Sequence, residues 1–247
     1  SKVLMVTLGK LHALSFAMKI KKPEIFEKFK ELNDYVSQNF KEGQHKDYFI
    51  ESMKKAIDCL SPNDNESKQK FQKLTDNFIE VLMDVTTASL IEPFGVVGHG
   101  DCWINNYLFH YENDQTPDRI VLVDWQVSRY SSPVADLVYF IFVCTDHTLR
   151  KNHYEELLKA YHDSLKELLH NLGGNIELQF PFSALENHLK RFGKLGAVLA
   201  SFMIQILLTK KEDLPDLEFV ATKMEKEEIV GGLLDSFCRQ HDLFNER

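Results

Sequence analysis

The 247-residue chain is poor in cysteine, and its four cysteines, at positions 59, 102, 144 and 238, form no C-x-x-C pair. That spacing excludes a zinc ribbon and the disulfide framework of small secreted domains. The chain also lacks an excess of basic residues, because 29 Lys and Arg stand against 37 Asp and Glu, which gives a net charge of −8. We therefore expect no nucleic-acid partner and no membrane partner, since both require a basic surface.

Long apolar runs are missing as well. A membrane span needs about 18 apolar residues, and the nearest window, 195–208, is interrupted by Ser201 and Gln205. The contents of apolar residues (44%) and charged residues (27%) are those of globular proteins, which excludes a disordered or collagen-like chain. We expect a cytoplasmic protein with reduced cysteines, large enough to bury a full core.

Most of the sequence has the spacing of amphipathic helices, with apolar residues recurring every three or four positions. Such segments cover residues 4–18, 25–40, 49–60, 71–85, 158–172 and 185–206, of which the last is the longest, and a weaker one lies around 229–237. The composition of 185–206 favours a core helix over one that lines a substrate cavity. The chain contains no internal repeat and no clear interdomain linker.

Residues 94–130 break the helical rhythm. Short apolar runs at 96–97, 107–109 and 120–123 are bounded by Gly, Asn, Asp and Pro, which predicts strands. The polar stretch 110–119 is predicted to be the loop of a hairpin between the last two strands. The predicted fold class is therefore mainly α with a small β-hairpin element.

The chemically unusual residues lie in this segment, in the order Asp101, Asn106 and Asp124. An Asp-x-x-x-x-Asn spacing, followed by a strand that ends in Asp, is typical of a kinase catalytic loop and its metal-binding aspartate. Asp101 suits the base that orients and deprotonates an acceptor hydroxyl, and the other two suit the oxygen ligands of Mg²⁺. Each residue alone can be a turn or cap residue, but their order on one strand–loop–strand frame favours the catalytic interpretation.

The register of the hairpin bears on this metal site. If Phe109 pairs with Ile120, Asn106 lies opposite Val123 and Asn105 lies opposite Asp124. Directly paired residues are about 5 Å apart, so an asparagine and the aspartate can share one ion. This register is an assumption, and a slip of one residue would exchange the two asparagines.

Two further polar residues are predicted to support the catalytic loop. His99 is interpreted as a loop-bracing core histidine rather than a base, and Cys102 as inert because it has no activating partner. Asp136 lies in the first turn of an apolar helix that Ser132 caps and Pro133 opens. It either compensates the helix dipole or is a buried carboxylate that accepts hydrogen bonds from the catalytic loop, and we favour the second alternative.

The stretch from residue 97 to about 144 contains HGDCWINN, VDWQ, RYSSP and DLVYFIF. These motifs resemble the ecdysteroid kinase-like family, and the wider choline and aminoglycoside phosphotransferase group shares the core of them. Segments 8–13 and 191–193 fit the family too, so the resemblance covers nearly the whole chain. It implies ATP- and Mg²⁺-dependent phosphorylation of a small-molecule hydroxyl, for example of an ecdysteroid, by Asp101 with Asn106 and Asp124 on the metal.

The resemblance also implies that residues 1–247 form a protein-kinase-like C-terminal lobe. In that division, 1–92 follow the hinge, 93–130 carry the catalytic loop and the metal-binding hairpin, and 131–247 form a helical subdomain. No glycine-rich loop between strands and no strand with a phosphate-gripping lysine precede Asp101, and the chain begins at Ser1 rather than methionine. We therefore expect the N-terminal lobe to be missing from this chain, and the chain alone to be nearly inactive.

Two other functions remain open at this point. One is a non-catalytic, kinase-like binding module. The other is a metal-dependent hydrolase that uses His99, Asp101 and Asp124, which is disfavoured because such sites usually offer more histidine ligands. No pattern in the sequence indicates an oligomeric state.

Overall fold

The computed structural model describes residues 1–34, 44–113 and 116–208, and this part of the chain is mainly helical, with two small antiparallel sheets. By its contacts the chain divides into two compact units. The first unit comprises Ser1–Ser37 and Glu80–Gly196, and the second comprises Gln38–Ile79 and Ala197–Arg247. The prediction of a mainly α fold with a small β element is confirmed.

The helices follow one another along the chain with short connections. They are α1 (Lys2–Lys21), α2 (Pro23–Lys30), α3 (Gln44–Asp58), α4 (Asn65–Asp76), α5 (Phe78–Asp84), α6 (Ala88–Ile91), α7 (Val134–Val143), α8 (His147–Asn171), α9 (Ile176–Gln179), α10 (Phe182–Phe192) and α11 (Lys194–Leu208). The strands are β1 (Val96–Gly98), β2 (Tyr107–Asn113), β3 (Thr116–Leu122) and β4 (Arg129–Ser131), and a 3₁₀ turn, Ile104–Asn106, precedes β2.

The core of the first unit forms where α1 lies along α8. Leu8 and Phe16 of α1 and Tyr161 and Leu165 of α8 are at most 1% exposed. The Phe16 ring also stacks on that of Phe180, with 5.6 Å between ring centroids. Burial of side chains of this size contributes about 1.5–3 kcal/mol each, so this helix pair is a main source of the unit's stability.

Helix α1 is long and apolar enough to cross a membrane, and so are Ile176–Phe192 and Lys194–Leu208 if the two are taken as one bent helix. This differs from the expectation that no segment is apolar enough. Core helices of globular proteins can be equally long and apolar, and half of the apolar stretch of α1 is buried inside the protein. The burial of α1 against α8 accounts for the apolar residues of its buried face, whereas Leu14, Met18 and Ile20 are exposed.

Three predicted helices differ from those observed. Segment 71–85 is broken at Asn77, whose side-chain amide donates to the Lys73 carbonyl, because asparagine competes with the helix for backbone hydrogen bonds. Segment 185–206 is divided at Gly193, a residue type that costs about 1 kcal/mol inside a helix. The longest helix is instead α8, with 25 residues. Helix α2 ends at Lys30, and the predicted remainder of 25–40 beyond Asp34 lies outside the described residues, as does 229–237.

The second unit has a small aromatic core. The ring of Phe49 stacks on Phe202 at 4.6 Å and on Phe78 at 6.1 Å between centroids. The Gln205 side-chain amide donates to the carbonyl oxygens of Ser52 and Ser201 at 3.3 and 2.6 Å. These contacts hold α3 against the C-terminal part of α11.

The two sheets are both antiparallel pairs. Strand β1 pairs with β4, and β2 pairs with β3. The predicted loop 110–119 is wrong in extent, because both strands of the hairpin continue into it, with irregular pairing beyond His110. The sequence analysis also missed β4, whose three residues are too few to show an alternating pattern.

A cluster of charged residues joins α1, α2 and β4. Glu92 accepts hydrogen bonds from Lys19 at 2.7 Å and from Tyr130 at 2.8 Å, and Lys30 lies 2.9 Å from the same carboxylate. Burial opposes the charge of Glu92, but these three donors outweigh it and lower the pKa of Glu92 to about 2. The cluster therefore stabilises the fold in its charged form.

We expect Glu92→Gln to weaken the dependence of stability on pH in acid. Because the folded-state pKa of Glu92 lies below its usual 4.5, the stabilisation is complete above pH 4.5 and is lost as the pH falls towards 2. Urea unfolding at several pH values measures this. The exposed Glu66→Gln is the control, and curves of equal slope for Glu92→Gln and the natural protein would contradict the prediction.

Gly9→Ala is expected to destabilise the first unit, although the same change inside an exposed helix stabilises by about 0.5–1 kcal/mol. A Cβ at Gly9 would lie 2.5 Å from the Tyr161 carbonyl oxygen and 3.0 Å from the Leu165 nitrogen, both backbone atoms of α8. Forcing α1 away from α8 should cost about 1–3 kcal/mol in urea unfolding. The neighbouring exposed change, Lys10→Ala, should leave stability nearly unchanged; a stabilising Gly9→Ala would show that the helices are not in close contact.

Candidate active site

One buried carboxylate, that of Asp136 on α7, holds the start of the loop formed by residues 99–106. Asp136 Oδ2 accepts a hydrogen bond of 2.8 Å from the His99 N–H, and Oδ1 accepts one of 2.8 Å from the Gly100 N–H. The Asp136 residue is 1% exposed. Its two oxygens thus fix the backbone immediately before Asp101. Asp136 also lies in the first turn of α7.

Two residues from other helices complete the surroundings of Asp136. His12 of α1 lies with Nε2 3.2 Å from Asp136 Oδ2, and its Nδ1 lies 2.8 Å from the hydroxyl of Tyr161 on α8. Burial would raise the pKa of Asp136, but the hydrogen bond and charge of His12 and the backbone donors of the loop outweigh it and lower that pKa. Asp136 is therefore a charged group that ties three helices to the 99–106 loop.

The Asp101 carboxylate is held on both oxygens. Asn106 Nδ2 donates to Asp101 Oδ2 at 2.8 Å and to the Asp101 carbonyl at 3.0 Å. The Tyr139 hydroxyl donates to Asp101 Oδ1 at 2.8 Å. Asp101 itself is partly exposed, whereas Asn106 is buried. The loop therefore presents one oriented carboxylate whose remaining lone pairs are open to a ligand.

The hairpin aligns the 99–106 loop with the end of β3. Phe109 pairs with Ile120, which confirms the predicted register, and the Val123 N–H donates to the Asn106 carbonyl at 3.1 Å. Asn106 is thus opposite Val123, and Asp124 is the next residue along the chain. Of the two asparagines, Asn106 is the one that hydrogen-bonds to the carboxylate of Asp101.

Asp124 has an unusual backbone conformation. Its φ is 64°, and it is the sole non-glycine residue with positive φ in the described parts of the chain. Such a conformation costs of order 1 kcal/mol for a residue with a side chain and is concentrated at functional sites. The exposed Asp124 side chain accepts a single hydrogen bond, from Gln126 Nε2 to Oδ2 at 3.3 Å, among the described residues. Its other oxygen is open to an ion.

A buried arginine braces the backbone on both sides of the site. Arg129 Nη1 donates to the carbonyl oxygens of Gly100 at 3.4 Å and Val127 at 3.2 Å. Its Nε lies 3.6 Å from Asp34 Oδ1. Gly100 has a φ of 86°, and a Cβ there would collide with the Val127 carbonyl and the guanidinium. Arg129 therefore joins the loop before Asp101 to the turn that follows Asp124.

His99 and Cys102 are occupied by structural contacts. His99 Nε2 lies 3.0 Å from the Val123 carbonyl, which requires the proton on Nε2, and Nδ1 then accepts from the Asp101 N–H at 3.3 Å. Neither ring nitrogen is available to a metal or a substrate. Cys102 is fully buried, and burial, with the charge of Asp136 second, raises the pKa of its thiol well above the usual value.

The donor set suits a hard cation better than a transition metal. Both hydrogens of the Asn106 amide are used on Asp101, and its Oδ1 accepts no hydrogen bond from the described residues. Asn106 Oδ1 and the Asp124 carboxylate are the oxygen ligands that Mg²⁺ prefers, with water and phosphate completing its shell. Residues 1–34, 44–113 and 116–208 contain no group of three or more His, Cys, Asp or Glu side chains able to hold a metal. The hydrolase alternative would use His99 as a ligand, and it is disfavoured because both ring nitrogens of His99 are engaged.

No pattern in the sequence gave a role to four residues of the site, His12, Arg129, Tyr139 and Tyr161. Tyr139 was part of an apolar helix pattern, Arg129 was part of a motif without a role, and Tyr161 was one position of an amphipathic helix. Spacing held a signal for one of them, because Tyr139 lies three residues after Asp136 and so on the same face of α7. The contacts of Arg129 and Tyr161 join distant segments and leave no local pattern.

A family model described as the ecdysteroid kinase-like family matches residues 1–174. The chain belongs to the ecdysteroid kinase-like family. The resemblance predicted from the motifs is thus confirmed, and the matched range includes every residue of the site described above. Neither the curated proteins nor the solved structures include a match to this chain.

Asp136→Asn is expected to destabilise the protein by about 3 kcal/mol. An asparagine offers one acceptor oxygen where two backbone N–H groups and His12 need a carboxylate, so a buried donor is left unpaired. Urea unfolding measures the loss, and hydrogen exchange at the amides of His99 and Gly100 should accelerate most. The control Asp163→Asn removes an exposed carboxylate paired with Lys159 and should change little. Unchanged exchange at both amides would refute the role of Asp136.

Proposed function

We propose that this chain is the kinase-like C-terminal lobe of an ATP-dependent phosphotransferase that acts on the hydroxyl of a small molecule, an ecdysteroid or a related alcohol. The observation that carries the proposal is the oriented carboxylate of Asp101. It lies in hydrogen-bond contact with Asn106, at the start of a hairpin that ends in the exposed carboxylate of Asp124. Membership of the ecdysteroid kinase-like family supports phosphoryl transfer as the reaction.

In the proposed reaction Asp101 is the base. The acceptor hydroxyl gives its proton to a carboxylate oxygen of Asp101 while the hydroxyl oxygen forms a bond to the γ-phosphorus of ATP. The bond from that phosphorus to the β–γ bridging oxygen breaks, and its electron pair leaves with ADP. Asp101 then returns the proton to solvent. Because Asn106 and Tyr139 hold the carboxylate, it does not have to reorganise during transfer.

Asn106 and Asp124 are proposed to hold Mg²⁺. The ion, when bound, neutralises the charge that develops on the transferred phosphate. Asn106 can contribute Oδ1 without giving up its bonds to Asp101, since those use the amide nitrogen. The strained backbone of Asp124 supports this role, because it aims a carboxylate outward at the end of β3 at an energetic cost.

The cover of the adenine and the grip on the α- and β-phosphates are proposed to come from a second lobe outside this chain. Before Asp101 the described residues form helices and one three-residue strand, which offers no frame for a glycine-rich loop between strands. We therefore propose that the chain alone transfers phosphate very slowly. The same proposal includes a cytoplasmic location, on the basis of the four widely spaced cysteines, and no nucleic-acid or membrane partner, on the basis of the net charge of −8.

Transfer of the γ-phosphate from ATP to a panel of hydroxylated steroids, followed by mass spectrometry, tests the proposal in the complete protein. Asp101→Asn should lower kcat about 10²- to 10⁴-fold, because it removes the base while keeping the shape. Asp124→Asn should raise the Mg²⁺ concentration needed for half-maximal rate, because it removes the charged ligand.

The control is again Asp163→Asn, an exposed carboxylate on α8 that should not affect the rate. Full activity of Asp101→Asn would remove Asp101 from its role. Steroid binding by the complete protein with no transfer to any panel member would instead favour the non-catalytic binding module.

A further inference from the structure

The two carboxylate oxygens of Asp101 accept hydrogen bonds from two side chains in different parts of the chain. Asn106 is five residues away in the same loop and donates to Oδ2, whereas Tyr139 is 38 residues away on α7 and donates to Oδ1. The local contact moves with the loop, because both of its partners belong to it. The contact from Tyr139 instead holds the carboxylate in a fixed position relative to α7, a rigid element outside the loop.

The hydroxyl of Tyr139 can act only as a donor to Asp101. Tyr139 is 7% exposed, and burial, followed by the negative charge of Asp101, raises its pKa far above the usual value. The phenol therefore keeps its proton, and a hydrogen bond from a neutral donor to a carboxylate is among the stronger ones. A ring with so little exposed surface also has little freedom to turn away.

Helix α7 holds the same loop at two levels. Asp136, in its first turn, binds the backbone of His99 and Gly100, and Tyr139, one turn later, binds the side chain of Asp101. Residues three apart lie on the same helix face, so a single rigid surface sets both the backbone and the carboxylate. The plane of the carboxylate is thereby fixed relative to α7 as well as to Asn106 of its own loop.

We propose that Tyr139 is a positioning residue for phosphoryl transfer, which orients the Asp101 carboxylate so that its open lone pairs face the acceptor hydroxyl. This inference rests on the proposed function, because it assumes that Asp101 is the base. Without the Tyr139 hydroxyl, the carboxylate keeps its contact with Asn106 but can rotate about its terminal bond. Asp101 is then still present, but for part of the time its open lone pairs do not face the acceptor hydroxyl.

Tyr139→Phe in the complete protein tests this, since it removes one oxygen and preserves the ring. We expect kcat to fall about tenfold, with the KM for ATP and for the acceptor within twofold of the natural values, because alignment is lost and binding is not. A rise in KM with unchanged kcat, or no change in either, would overturn the inference.

Tyr130→Phe is a closely matched control. Tyr130 is 5% exposed, and its hydroxyl donates to the carboxylate of Glu92 at 2.8 Å, the same distance as from Tyr139 to Asp101. Both changes remove a buried donor to a carboxylate, and Tyr130→Phe also removes the acceptor of a 2.9 Å hydrogen bond from Lys19, so both should lower the unfolding midpoint, Tyr130→Phe at least as much. Only Tyr139→Phe should lower kcat. Equal losses of kcat in the two variants would show that Tyr139 acts through stability alone.

A stability cycle separates this inference from the proposed function. The effect of Tyr139→Phe on the urea midpoint is measured in the natural protein and in Asp101→Asn, where the charged acceptor is gone. A smaller effect in the second background demonstrates the contact without any activity, and equal effects would refute it. If Asp101→Asn stays fully active, the proposed function fails; if it is inactive while Tyr139→Phe matches Tyr130→Phe, only the role of Tyr139 fails.

Discussion

The buried carboxylate of Asp136 is the constraint on which the site depends. A charge removed from water is strongly unfavourable unless donors surround it, and here they come from the backbone of His99 and Gly100 and from His12. Each donor lies on a different segment from Asp136, so the need to satisfy one charge assembles the segments. Helices α1, α7 and α8 and the 99–106 loop meet at this point because the alternative is an unpaired charge in the core.

This assembly leaves Asp101, the proposed base, and Asp124, the proposed metal ligand, near the surface. Asp101 is partly exposed and Asp124 is exposed, while the residues that hold their backbones, Asp136 and Arg129, are at most 5% exposed. A base and a metal ligand must reach a substrate, whereas their supports must resist water, which would compete for the same hydrogen bonds. The division between buried support and open chemistry is therefore a physical requirement, and it explains why so many polar side chains lie in the core beside the loop.

Local patterns predicted much of this from the sequence. The spacing from Asp101 to Asn106 and the apolar runs of the hairpin are set by neighbours along the chain. The loop, the register of the hairpin and the family could therefore be predicted from local patterns. The helix breaks at Asn77 and Gly193 were not, because each depends on a single residue whose helix cost of at most about 1 kcal/mol is routinely overridden by tertiary packing. The extent of the hairpin was also underestimated, since its outer half is polar and pairs irregularly.

Tyr139 shows why the rest of the site needs the structure. In the sequence it is one aromatic residue in a helix of almost uninterrupted apolar character, and its spacing of three residues from Asp136 is the one local sign that its hydroxyl faces the loop. Its partner lies 38 residues away, and only the position of α7, set by Asp136, brings the two together. A carboxylate on a loop inherits its orientation from whatever rigid element it contacts. In this chain the element that holds the loop is also the element that orients Asp101, the proposed base, so the same packing of α7 determines both the fold of the loop and the orientation of that carboxylate.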